Sequence, residues 1–198
     1  MRRTNSNQEG GFSLLEVVVV MAIMMVVLSF AVFASNNVLP SYKADSALNV
    51  VLGTLRQAKQ TAIVQRRDVQ VWIDQNFSGP DQVQHINYQV VPISGDQPQS
   101  LVSIPLPQGT QMVLEPGVPD TPMGFGNDAA VFIGNVEGGP GIMMFRSTGA
   151  FTDGNYALLN GTIYLGVPGQ ASTARAVSIM GGVANVQRYA WDGTQWGR

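Results

Sequence analysis

Cysteine is absent from the 198 residues, and histidine occurs once, as His85. The first absence excludes a thiol nucleophile, a thiolate metal site and any disulfide, so stability must come from packing. The second leaves no His-rich metal site, and His85 in the polar stretch Gln82-Val83-Gln84-His85 reads as a surface loop residue. Charge is scarce as well. Only 12% of residues are Asp, Glu, Lys or Arg, and the net charge is −2. A basic excess that could neutralise a nucleic-acid backbone is missing, the pair Arg66-Arg67 being the only cluster in the body of the chain. Asp120, Asp128, Glu137 and Asp153 are scattered through Gly- and Asn-bearing loops without the D-x-[DN]-x-[DN]-G spacing of a calcium loop, which favours turn and cap roles. Gly124-Phe125-Gly126 lacks the strand, Lys and helix context of a phosphate cradle. Catalytic residues, metal ligands and cofactors are therefore not expected.

The chain does have one long apolar run. Val17 to Ala34 is interrupted only by Ser29, and Phe12, Leu14 and Leu15 extend it toward the N-terminus. About 20 apolar residues suffice to cross a bilayer as a helix. Glu16 stands at the start of that run. A carboxylate in hydrocarbon costs roughly 2.5 kcal/mol or more on insertion scales, so such a residue needs a partner or a route to the headgroups. Before it lies a polar leader with Arg2 and Arg3, which favour the cytoplasmic side, ending in Gly10-Gly11. An ordinary secretory signal would be cut after the apolar run, where Ala31 and Ala34 give only a faint A-x-A-like pattern. The alternative cut falls between Gly11 and Phe12, where Gly-Gly can adopt an extended form.

Gly11, Phe12 and Glu16, followed by the apolar helix, resemble the class III signal of type IV pilins and type II secretion pseudopilins. The resemblance implies cleavage after Gly11 by a prepilin peptidase, methylation of the new amino terminus at Phe12, and an assembly role for Glu16. The physics is compatible with that role: a free amine on Phe12 of a neighbouring subunit could pair with the Glu16 carboxylate, whereas an unpaired acid in lipid is penalised. A plainer reading makes Glu16 a first-turn acid favoured by the helix dipole and by snorkelling.

Beyond Asn36-Asn37 and Pro40, Ala44, Leu48, Val51, Leu55, Ala58 and Ala62 recur every three or four residues, one face of a second helical half, while Lys43, Asn49, Arg56 and Gln60 lie off it. After residue 66 the period changes to 2. Val69, Val71 and Ile73 alternate with Gln70, Trp72 and Asp74, and short strands are expected at 87–93, 111–114, 130–133, 142–145, 162–167, 176–180 and 183–191. Nine of the 11 prolines fall between Pro80 and Pro140, so loops and short edges should dominate 77–141. The expected fold class is α+β, a pilin-like fold with a long N-terminal helix packed on two antiparallel sheets. Its parts are a cleaved leader (1–11), a transmembrane half-helix (12–40), and a head (41–198) made of an amphipathic helix (41–66) and a β-rich domain (67–198).

Two internal stretches are similar to the GspH/FimT group of minor pilins: Leu55 to Ile63 with Arg66 to Val71, and the order Met144 to Gly149, Gly161 to Leu165, Ala176 to Ile179 with Gly181-Gly182. The resemblance implies a non-enzymatic subunit whose partners are other pilin or pseudopilin subunits, the prepilin peptidase and inner-membrane lipid, with the head in the periplasm. Some FimT-like pilins bind DNA through a Gly-Arg-x-Arg segment. Here that stretch reads Gly181-Gly182-Val183-Ala184, without either arginine, so nucleic acid is not an expected partner. Trimming residues 1–11 removes Arg2, Arg3 and Glu9, leaving nine basic and 12 acidic side chains. A DNA-binding pilin of natural transformation and a membrane-anchored binding module outside the pilin class stand as alternatives. The aromatics and cations Arg188, Tyr189, Trp191, Trp196 and Arg198 are expected to pack on the last strand or against another subunit.

Overall fold

The computed structural model describes residues 13–78, 82–93 and 100–198, with the side chains of 31–37 left out. The chain divides into two compact units, Met1–Leu39 and Pro40–Arg198. Helix α1, Leu14–Gln65, contributes to both and contains Pro40. In the first unit its described side chains, Glu16 and Ser29 apart, are apolar on every side and exposed, Leu14 by 82% and Leu28 by 64%. Ser29 does not interrupt it, because its hydroxyl donates back to the Met25 carbonyl at 2.8 Å.

In the second unit the helix carries the expected apolar stripe. Ala44, Leu48, Val51, Leu55, Ala58 and Ala62 are all buried, while Lys43, Asn49, Arg56 and Gln60 are exposed. Four of those six buried residues are alanine or valine, so the backbone can approach the sheets closely. The helix ends with Arg66 in the left-handed region (φ 51°), its N–H bonding to Ile63 O and that of Arg67 to Ala62 O. These paired bonds are a Schellman ending, built here on Arg where Gly is usual.

Among the described residues eleven strands follow, all paired antiparallel. The first sheet has the order β3-β2-β1-β6-β7, with β1 Val69–Ser78, β2 Val83–Val90, β3 Val102–Pro105, β6 Met143–Phe145 and β7 Phe151–Asp153. The second has the order β11-β10-β9-β8-β4-β5, with β4 Val131–Ile133, β5 Val136–Glu137, β8 Gly161–Leu165, β9 Arg175–Met180, β10 Asn185–Trp191 and β11 Trp196–Gly197. One core joins the helix stripe to both sheets through Val69, Ile86, Phe145, Phe151, Ile163, Leu165 and Ile179. The rings of Phe145 and Phe151 meet at 4.9 Å.

Three expectations need correction. Val83-Gln84-His85 is not loop: it opens β2, which runs opposite β1 with His85 facing Asp74 in register. Gln84 is buried there, donating to Gln75 O at 2.6 Å and accepting the Met112 N–H, so a polar residue works as an internal clamp. Gln111 to Leu114 forms no strand, only a single bridge from Gln111 to Gly166. The short strands β3, β5, β7 and β11 lie outside the expected ones, because two to four residues are too few for a period to show.

Candidate assembly site

Glu16 lies in the first turn of α1, exposed, beside Val17, Val20 and Met21, which line a shallow apolar cleft of about 260 Å³. An acid near a helix N-terminus is favoured by the unpaired N–H groups there. Gly11 and Phe12, the expected cleavage and methylation positions, lie outside the described residues, as does the leader. Among the described residues no helix is long and apolar enough to cross a membrane. The expected span 12–40 runs through Phe12 and through 31–37, whose side chains are not described.

In the head, charged residues act as seams. Arg146 is buried, and its guanidinium donates to Asp68 Oδ2 (2.7 Å), Thr152 Oγ1 (2.7 Å) and Asp153 O (2.8 Å) while lying 3.8 Å from the Tyr156 ring centroid. Asp68 accepts in addition the Ser147 N–H at 3.1 Å. The start of β1 is thus locked to the β6–β7 hairpin by a buried charge whose donors are used on several sides. Arg175, also buried, donates to Asp45 Oδ1 at 2.6 Å, tying β9 to the helix. Lys59 donates to Val183 O (2.8 Å) and Ala184 O (3.3 Å), holding the β9–β10 turn against the helix. Gly181 in that turn accepts from Phe151 N and donates to Asn160 Oδ1, both at 2.8 Å. A Cβ there would stand 2.5 Å from Leu159 O, so only glycine fits the stitch between the two sheets.

None of these ion pairs is announced by a local sequence pattern. Arg146 and Arg175 each sit next to a buried apolar strand residue, and a charge beside a core strand with no excess of its sign nearby was the available hint. The acids of the loops do serve turns. Asp120 accepts from the Thr121 and Gly126 N–H groups and from the Tyr164 hydroxyl (2.9 Å); Asp153 accepts from Asn155 and Ala157 N–H. Burial first, then the hydrogen bond to Asp120 and the charge of that carboxylate, raise the Tyr164 pKa above its ordinary value. Tyr189 is fully buried, and Trp191 and Trp196 touch at 5.4 Å, with the Trp196 indole N–H bonded to Pro119 O. No group of three His, Cys, Asp or Glu side chains able to hold a metal occurs among the described residues.

Residues 6–32 match the prokaryotic N-terminal methylation motif. Among solved structures the chain is similar to the minor pseudopilin EpsH of the type 2 secretion system of Vibrio cholerae, at 14% identity over 75% of this chain and 97% of that one, TM-score 0.45. It is likewise similar to the type IV minor pilin FimU of Pseudomonas aeruginosa PAO1, at 16% identity over 79% of this chain and 94% of that one, TM-score 0.45. No curated protein sequence matches it. The chain thus joins a methylation motif at the head of a long helix to two antiparallel sheets in an α+β arrangement.

Proposed function

We propose that the chain is a minor pilin or pseudopilin, a structural subunit and not an enzyme, which is trimmed after Gly11, methylated at Phe12 and built into a filament. Residues 12–40 hold it in the inner membrane and residues 41–198 form a head on the periplasmic side. The observation that carries this reading is the motif match over residues 6–32, which encloses Gly11, Phe12 and Glu16 together with the start of the apolar run. In the membrane Glu16 pairs with the Phe12 amine of a neighbouring subunit, so leaving the bilayer and taking the correct stagger become one event. The apolar run from Val17 to Ala34 supports the anchor, and Arg2 and Arg3 support its orientation. Prepilin peptidase and other subunits of the filament are the partners this requires.

The test is the intact mass of the mature chain recovered from membranes. A species beginning with N-methylated Phe12 is expected. A native terminus at any other residue overturns the reading.

A further inference from the structure

Of the nine cationic side chains beyond residue 11, five are already used inside the head: Arg146 and Arg175 in ion pairs, and Arg56, Lys59 and Arg67 on backbone carbonyls. Two of the remaining four, Arg188 and Arg198, open onto the same cleft. It measures about 350 Å³ and runs between the flank of the helix, at the half-buried Asp45 and the exposed Asn49, and strand β10 at Tyr189. Both arginines are exposed, and neither donates to a protein acceptor among the described residues; Arg198 stands 6.0 Å over the Tyr189 ring. The walls are set in advance. Tyr189 is buried with its hydroxyl donating to Gln187 Oε1, and Asp45 is held at 2.6 Å by the buried Arg175. Arg175 offsets Asp45, so the unpaired side-chain charges lining the cleft are those of Arg188 and Arg198, in a chain whose remaining side chains are net acidic.

We propose that this cleft receives a carboxylate, an Asp or Glu side chain presented by a neighbouring subunit, gripped by Arg188 and Arg198 with the Asn49 amide alongside. The identity of the neighbour as a subunit rests on the filament reading above; the carboxylate chemistry does not. Guanidinium groups bind carboxylates through two parallel N–H donors, the geometry a paired Arg site can supply at short range. A nucleic-acid strand is disfavoured because strand binding draws on a row of cations that tracks the phosphate backbone, and this cleft supplies two at a single point. A single acidic side chain needs only the contact within the cleft, inside the Debye length of about 8 Å at physiological salt.

The test uses the full chain in neutral detergent micelles and a dye-labelled, end-blocked hexaglutamate peptide, with hexaglutamine and a single-stranded oligonucleotide as parallel probes, followed by fluorescence anisotropy. Hexaglutamate is expected to bind, to weaken as salt rises, and to bind at least about tenfold more weakly to the Arg188→Gln/Arg198→Gln double variant, with Arg66→Gln unchanged. Equal binding to the double variant, equal binding of hexaglutamine, no binding of hexaglutamate to the unaltered chain, or tighter binding of the oligonucleotide through the same arginines overturns the proposal. None of these outcomes depends on filament formation, and the mass of the mature terminus reports on that reading separately.

Discussion

Helix α1 is one element with two opposite surfaces. In the Met1–Leu39 unit its described side chains, Glu16 and Ser29 apart, are apolar all round and exposed, whereas from Ala44 to Ala62 only one stripe is apolar and that stripe is buried. Both halves contain a hydroxyl satisfied in the same way, Ser29 on Met25 O and Thr54 on Val50 O, each at 2.8 Å. Local helix chemistry is therefore shared, and the arrangement of apolar side chains around the axis makes the difference. A helix apolar on every face needs an apolar surrounding, which a bilayer or a bundle of like helices supplies; a helix with one apolar face needs only a sheet.

Placing the same charge in each half breaks the comparison most sharply. Leu55→Asp puts an uncompensated acid in the core, a cost of several kcal/mol that should leave the head unfolded, read as loss of the cooperative thermal transition. Val26→Asp should leave that transition within about 0.5 kcal/mol and instead impair membrane insertion, where the charge costs roughly 2.5–3.5 kcal/mol. An unchanged transition in Leu55→Asp would show that the stripe is not core.

Next in size is the seam at Arg146. Arg146→Ala strands Asp68 and should destabilise the head by about 3–5 kcal/mol in denaturant unfolding, with Asp68→Asn costing less because it leaves a neutral acceptor. A loss under about 1 kcal/mol would reduce the network to a surface pair.

Glu16 tests the other half. Glu16→Gln should reduce incorporation into filaments by about an order of magnitude, near 1.4 kcal/mol, while insertion and head stability stay unchanged. Wild-type incorporation measured by quantitative blotting of sheared filaments would leave Glu16 as a first-turn acid only.

The smallest effect is on Tyr164. Tyr164→Phe should cost about 1 kcal/mol at neutral pH, the net value of a buried hydrogen bond. Because the folded chain holds the Tyr164 proton to higher pH than the unfolded chain does, its contribution is intact below about pH 10 and declines as the pH rises above that. In Tyr164→Phe this part of the alkaline loss should be missing from the stability-against-pH curve.

Periodicity made the α+β order legible. The six-residue stripe from Ala44 to Ala62 and the alternation at Val69, Val71 and Ile73 both survive in the folded chain. The motif around Gly11, Phe12 and Glu16 was equally visible, since it depends on residue type in a fixed local register. His85 and Gln84 were misplaced because their strand alternates poorly: of Val83 to Val90, only His85 and Gln89 escape full burial. A strand covered on both sides loses the period of 2 that would announce it.

Taken alone, residue order decides where the apolar run begins and ends, which acid stands at its start, and where the helical period yields to the strand period, because each of these is a short-range property of neighbouring side chains. Tertiary structure alone decides that Arg146 meets Asp68, that Arg175 meets Asp45, and that Arg188 and Arg198 open onto one cleft. Those partners lie up to 130 residues apart, and only the pairing of strands and the packing of the helix on them bring such distant charges within a hydrogen bond of each other.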